Sequence, residues 1–558
     1  MKSKLVFLLL LLGSSYITAQ TVIENPPFET RQGSIHTISK IELSPTETRL
    51  TIRTVFRPQW WTSLDSLTYI YAPESKKQLY PLRIEGRKFG EQVTTPASGI
   101  IEDDCVITYP PLPEGTTRID WMDDNLNSET NTYGILLVKP QETKEQASLR
   151  KIHGNWQQAD AQNGWDIGIY DSLAIMDNRF WKYDLCRKQG KKFKLNLKDE
   201  TGEQCLLEIT QEKDGNLCIG KNGGKANKYI RAGRPQRNYA ATTAATAPQT
   251  AFFRKDTVHI RGFLDGYSPK LGFTTVLIYT DNHITNEGTP AVVTIHPDGR
   301  FESDFVVNYP GVHHLSMGNN WMTFYIRPGE TLMLYINWED HLDYLRQRRL
   351  KPMLTETLYM GPSSSINQEL MPCEPLFSKD YHIIQNACKT LIPSEFKTQQ
   401  EPMYKLWMHR VDSLEQSKTL QPEAMQMLKN DVMINYGAWL LEFILMRDMD
   451  AREDTTNTIL KIKETPDYYD FLKAMPLNDV RSIGCNNRIE FMNPFLPASW
   501  QIKNGTDDRM EKYAESWRKK KEILQDTTGM PFPVVGELIL TRSYPFLAKT
   551  LENEKKAF

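Results

Sequence analysis

From residue 20 to about 340, apolar and polar positions alternate in short runs. Beyond that they recur at helical spacing. His36–Leu43 and Thr48–Phe56 alternate apolar and polar residues, as half-buried strands do. Further strands are expected at 67–72, 79–84, 104–109, 117–121 and 133–138, separated by Pro, Gly and Asn/Asp turns, so residues 20–140 read as a β-sandwich-like domain. Residues 150–233 read as a small antiparallel β domain, with strands at Trp165–Tyr170, Ser172–Ile175, Phe180–Leu185, Lys192–Leu197, Cys205–Thr210 and Leu217–Ile219. A linker spans 234–251, with a low-complexity core at Ala240–Ala251. A further β-sandwich domain is expected over 252–340, with a turn at Pro297–Gly299. Residues 341–558 read as an α-helical domain. Glu423–Met446 carries apolar residues at 424, 427, 428, 432, 434, 436, 439, 440, 443 and 444, a broad buried face. Helices are also expected at Gln399–Gln416, Tyr468–Ala474, Asn478–Phe491, Asp507–Leu524 and Tyr544–Lys556. The fold class is therefore multidomain: three β-rich, sandwich-like domains followed by an α-helical domain.

The first nineteen residues break this pattern. Lys2 and Lys4 precede the apolar run Leu5–Leu12, and small residues lead to a cut after Ala19. That is a signal peptide in length and flanks, too short to span a bilayer. No later stretch reaches about 18 unbroken apolar residues, so the mature chain is expected to lack a transmembrane segment and to work in the periplasm or cell envelope. A net charge of -2 leaves no electrostatic footprint for nucleic acid.

Export raises the question of the cysteines. There are seven, at 105, 186, 205, 218, 373, 388 and 485, and none forms a C-x-x-C. If Asp214–Gly215 closes a two-residue hairpin loop, strand partners sum to 429 and Cys218 faces Gln211. Cys205 then lies six residues further along the same face, about 20 Å away at strand rise. A disulfide needs Cα atoms within about 7 Å, so even the closest pair is expected to remain two thiols.

Other candidates for chemistry are weak. His313–His314 and Asp340–His341 lack metal-ligand spacing, and neighbouring strand histidines point to opposite faces. Gly220–Lys225 lacks the phosphate-loop spacing and reads as a turn. The acidic pairs Asp103–Asp104, Asp123–Asp124 and Glu339–Asp340 are expected to be solvated turn residues, and no nucleophile-elbow motif is present. Lys191–Lys198 reads as a strand with a basic solvent face; Arg346–Lys351 and Arg518–Lys521 read as helix decoration. No catalytic, metal or cofactor-binding residue is assigned. Trp60–Trp61, following Pro58 at a strand exit, is the best candidate for ligand contact, because one indole of an extended pair must point away from the core.

Five stretches together carry a resemblance: Val22–Glu29, Ser39–Leu43, Phe56–Trp61, Gly164–Ser172 with Phe180–Trp181, and Tyr325–Leu332 running to Trp338–Asp340. Their order resembles the N-terminal accessory region of exported TlpA-like thiol–disulfide oxidoreductases of Bacteroidetes, in which β domains and a helical segment precede a thioredoxin-fold domain. The resemblance implies an envelope location and a modular β-plus-helix build. The W-C-x-x-C centre of that family is absent, and Phe558 falls about where its thioredoxin domain would be expected to begin, so no catalytic residue carries over. Two expectations follow. One is a non-catalytic envelope module binding a protein, peptide or glycan partner. The other is a truncated or split component of a TlpA-like oxidoreductase.

Overall fold

The computed structural model describes residues 21–123, 130–138, 144–159, 164–233, 239, 252–280, 290–318, 320–347, 357–477, 479–487 and 491. The segment expected as a signal peptide, the Ala240–Ala251 core of the expected linker, most of Arg346–Lys351, Arg518–Lys521 and the helices expected at 507–524 and 544–556 lie outside these residues. The protein is strand-rich, with several sheets and a helical region toward its C-terminal side. It divides into two compact units: residues 1–141 with 338–351, and residues 142–337 with 352–558.

In the first unit, one five-stranded sheet orders Thr21–Glu24, His36–Leu43, Thr48–Val55, Ile100–Tyr109 and Arg83–Glu85. The other orders Thr30–Arg31, Thr132–Leu136, Arg118–Met122, Tyr69–Ala72 and Lys77–Leu79. Ile41, Leu50, Ile52 and Ile107 of one sheet share a core with Ile70, Ile119, Trp121 and Ile135 of the other. Two buried polar tips are satisfied inside it: the Trp121 indole donates to Tyr109 Oη at 3.0 Å, and the Tyr109 hydroxyl lies 3.3 Å from Thr68 Oγ1. The strand expected at 79–84 is instead two, Lys77–Leu79 and Arg83–Glu85. Pro81 lies in the gap and has no N–H for a ladder. The helix Trp338–Gln347 belongs to this unit: Trp338 Nε1 donates to the Arg31 carbonyl at 2.7 Å, and Arg31 pairs with Glu339.

The second unit begins with an eight-stranded antiparallel barrel from Gly154–Gln158 to Asn227–Arg231. The block is thus a barrel rather than sandwich-like. Closure comes from the first strand pairing with the last, Trp156 opposite Arg231. The Arg231 guanidinium lies 4.1 Å above the Trp156 ring and donates to the His153 carbonyl at 2.6 Å. Phe193, Leu195, Leu197, Leu207 and Ile209 fill the interior, while Lys192 and Lys194 point to solvent as the alternation predicts.

The hairpin at Asp214–Gly215 differs from the expected one. Partners sum to 428, not 429: Thr210 faces Cys218 and Gln211 faces Leu217. Gly215 takes a φ of 86°, and the Glu212 N–H bonds to the Asn216 carbonyl, so the loop has three residues rather than two. One residue of slip exchanges faces. Cys205 points into the barrel and Cys218 outward, so the closest two cysteines sit on opposite sides of one wall. None of the seven cysteines forms a disulfide.

Beyond the barrel, two four-stranded sheets stack. One orders Arg300–Val307, Asp256–Asp265, Thr331–Asn337 and Leu358–Met360; the other orders Pro290–Thr294, Thr275–Tyr279, Gly311–Met317 and Asn320–Ile326. The outer face of the first sheet meets the barrel through Phe263, Met333 and Tyr335 against Trp165, Tyr170 and Phe180. The outer face of the second meets the helices through Val312 and Tyr325. Among the helices, Pro422–Glu453 is central and packs on Tyr381–Cys388 and Pro393–Ser417. Two contacts pin them to the sheet. Asn367 behaves as an extra strand residue: its amide accepts from Tyr325 N at 2.6 Å and donates to Tyr325 O at 2.7 Å. Gly484 meets Gly311 so closely that a Cβ on Gly484 would fall 2.9 Å from Gly311 Cα. The helix expected at Tyr468–Ala474 is a 3-10 helix, Pro466–Ala474, and of the one expected at Asn478–Phe491 the described residues include a 3-10 turn, Val480–Gly484, while 478 and 488–490 lie outside the described residues.

Candidate ligand-contact site

Trp60 and Trp61 are both exposed, at 42% and 56%. Alternation along an extended chain would have buried one of them. The turn before them prevents this: Gln59 takes a φ of 60°, and Trp60 N bonds to Arg57 O at 3.1 Å. Trp60 therefore still belongs to the turn, while Trp61–Thr62 forms a short strand paired with Val93–Thr94. Thr95 closes the hairpin, its N–H bonding to Trp60 O at 2.9 Å and its hydroxyl donating to the Arg57 and Trp60 carbonyls. The Arg57 guanidinium lies 4.7 Å over the Trp60 ring, and Phe56 meets that ring edge-on at 6.3 Å. The result is a ridge of two indoles, one backed by a cation.

Alternation does hold one residue further along. Thr62 points inward and is buried. It ends a chain of polar contacts running from the core to the ridge. Arg87 Nη1 lies 3.1 Å from Asp104 Oδ2, and both side chains are buried. Thr54 donates to the same carboxylate oxygen at 2.6 Å. His36 then bridges Thr54 and Thr62, its Nδ1 2.9 Å from Thr54 Oγ1 and its Nε2 3.2 Å from Thr62 Oγ1. Burial, reinforced by the Arg87 charge, pushes the imidazole down to about 3, so His36 is neutral at physiological pH. A neutral imidazole flanked by two hydroxyls fixes the strand that displays Trp61.

Sequence reasoning missed this chain because it took Asp103–Asp104 for a solvated turn. The pair sits inside the Ile100–Tyr109 strand, at a bulge where Asp103 adopts a φ of 47°. The extra residue re-aims Asp104 into the core. The signal available was an acidic pair inside a run that otherwise reads as a strand.

The remaining candidates disperse. His313 is buried between Phe305 and Phe324 inside the stacked sheets, while His314 lies on the outer face. Asp340 and His341 belong to the other unit, where burial pushes His341 down to about 4 beside Trp338. Among the described residues no group of three or more His, Cys, Asp or Glu could hold a metal ion. Gly220–Lys225 is a hairpin turn, with Gly223 at a φ of 74°. Asp123 is buried and accepts from Thr130 at 2.8 Å; Asp124 lies outside the described residues. Burial holds the Cys105 and Cys388 thiols up at about 11 and about 12, and lifts Cys205 as well. No described helix is long and apolar enough to cross a membrane. No family model matches the chain, and no curated protein matches it.

Proposed function

We propose that this chain is an exported, non-catalytic module of the cell envelope that binds a protein, peptide or glycan partner through the Trp60–Trp61 ridge. Two adjacent indoles held in water by a buried polar chain carry the reading. Burying either would stabilise the fold by about 2 kcal/mol or more, so their display on a braced strand fits a partner that covers them. Bracing also removes ordering cost from the binding step. On this reading the architecture is three β-rich domains and a helical domain, the accessory part of a TlpA-like assembly, working in the periplasm without its own dithiol. Support for the non-catalytic part comes from the thiols. Those at 105, 205 and 388 are buried and raised, the opposite of an attacking cysteine.

The test is a ligand screen of the purified chain against envelope peptides and glycans, with Trp60→Ala/Trp61→Ala beside it. The double variant should lose at least about tenfold in affinity, equivalent to about 1.4 kcal/mol. Unchanged affinity for every ligand found removes the ridge from the account. An insulin-reduction assay covers the catalytic question: turnover that disappears on Cys→Ser substitution would sink the non-catalytic reading.

A further inference from the structure

A second aromatic surface lies in the other unit, on the outer face of the sheet that carries the helices. Strand register sets its layout. Trp321 faces Ser316, Ser316 faces Leu277, and Leu277 faces Val292, one row across four strands. The next row places Tyr279 beside His314 and His314 beside Thr323. Serine at 316 is the small residue of its row, and the Trp321 ring reaches over that strand to stack on Tyr279, centroids 4.8 Å apart and planes at 28°. His314 meets Trp321 edge-on at 6.3 Å. Trp321 is nonetheless 54% exposed and Val292 68% exposed. The helical region covers this sheet at Val312 and Tyr325 and touches it at Thr323, while among the described residues Trp321 and Val292 keep more than half of their surface exposed.

Polar groups border the platform. Thr323 lies two residues along from Trp321 on the same face, about 7 Å at strand rise. Its hydroxyl donates to Glu374 Oε2 at 3.0 Å, and Asn486 Nδ2 donates to Glu374 Oε1 at 3.4 Å. At its other end the row meets a cleft of about 560 Å3 at Val292, with Arg300, Glu302 and Asp304 among its lining groups.

We propose that this face is an oligosaccharide-binding site, with a sugar ring stacked on Trp321 and its hydroxyls read by Glu374, Asn486 and Thr323. Tyr279 backs one face of the Trp321 indole, and the indole, still 54% exposed, offers a flat ring that suits the C–H face of a pyranose and attracts it through the negative ring face. An organic cation would call for rings standing around it as walls. The carboxylate and amide beside the exposed ring favour a hydroxyl-rich ligand over an apolar protein anchor. A carboxylate and an amide side by side supply the paired acceptors and donors that vicinal hydroxyls match. The row then leads from the platform to the polar cleft, a path for a chain of several sugars rather than one. This site is independent of the Trp60–Trp61 ridge.

Calorimetric titration with maltohexaose, cellohexaose and N-acetylchitohexaose tests it. At least one should bind with a Kd below about 1 mM. Trp321→Ala should weaken that binding at least about tenfold, Trp321→Phe by no more than about threefold, and Glu374→Gln by an intermediate factor. The variants lie at the surface, and matching far-UV circular dichroism confirms their fold. Trp60→Ala/Trp61→Ala should leave the affinity unchanged. No binding by any of the three at about 10 mM overturns the proposal. So does a Trp321→Ala variant that binds like the parent, or competition by tetramethylammonium. Loss of binding in the Trp60→Ala/Trp61→Ala variant would overturn it too, moving the sugar to the ridge and leaving that separate reading intact.

Discussion

Replacing Arg447 by methionine should collapse the helical region before the rest of the molecule. Arg447 is buried inside the Pro422–Glu453 helix, and its guanidinium is satisfied by carbonyls. It donates to Cys388 O at 3.0 Å, to Leu391 O, to Ile459 O at 2.7 Å and to Ile462 O at 3.0 Å. Cys388 ends one helix and Ile459 opens a 3-10 turn that closes at Ile462. One cation thus gathers carbonyl ends that the helix geometry leaves open. Burial lowers its pKa, yet guanidinium stays protonated throughout the working range. Methionine keeps most of the stem, so the packing loss is small and the polar loss dominates. Each carbonyl stripped of its donor costs about 1–3 kcal/mol while buried, and partial hydration of the set brings the sum to about 3–5 kcal/mol. Urea unfolding followed by tryptophan fluorescence, with hydrogen exchange resolved by segment, reads the outcome. The variant should lose protection in 381–391 and 455–465 first, with the barrel unaffected. Unchanged protection in these segments would show that the carbonyls find water at no cost, and would refute the argument.

Three further expectations follow from single groups. His36 has its pKa pushed from 6.5 down to about 3 in the fold, so the unfolded chain takes up a proton that the folded one refuses as pH falls below 6.5. The stability it contributes is complete above that point and declines towards pH 3, by about 3 kcal/mol between about pH 7 and pH 4; His36→Gln should flatten that acid limb in urea titrations, and an unaltered limb would contradict the buried chain. Brief iodoacetamide labelling of the native protein, read by mass spectrometry, should modify Cys186 and Cys218, which are half-buried, and spare the five buried cysteines; prompt labelling of Cys388 would contradict the packing around Arg447. Gly484→Ala should push the 480–484 turn off the sheet at Gly311 and cost about 1–3 kcal/mol, visible as a lowered midpoint in thermal unfolding; an unchanged midpoint would mean that contact is loose.

Local pattern and distant pairing were unequally legible in the sequence. Alternation located His36–Leu43 and Thr48–Val55, and the 3.6-residue spacing located the long helix that runs from Pro422 to Glu453. Barrel closure was not legible. Gly154–Gln158 and Asn227–Arg231 are short, polar strands with little alternation, and they are defined by each other across more than sixty residues. Nor was the place of Trp338–Gln347, whose partners Arg31 and Ser34 lie some three hundred residues earlier. The register at Asp214–Gly215 failed by one because a turn dipeptide names the turn residues without counting the loop. At the candidate site, the sequence pointed to Trp60–Trp61 but predicted one exposed indole where the turn at Gln59 exposes two. The brace beneath was invisible because it depends on a bulge that reverses the facing of Asp104.

The central claim is that the indole ridge is where this protein meets its partner. Photo-crosslinking in cells that produce the chain tests it most directly, with a benzophenone side chain at position 61 and a control at the solvent-facing Lys192 of the barrel. The account predicts a discrete adduct from position 61 on illumination, lost when Trp60 is also replaced by alanine, and none from position 192. Equal adducts from both positions, or none from position 61, would contradict it.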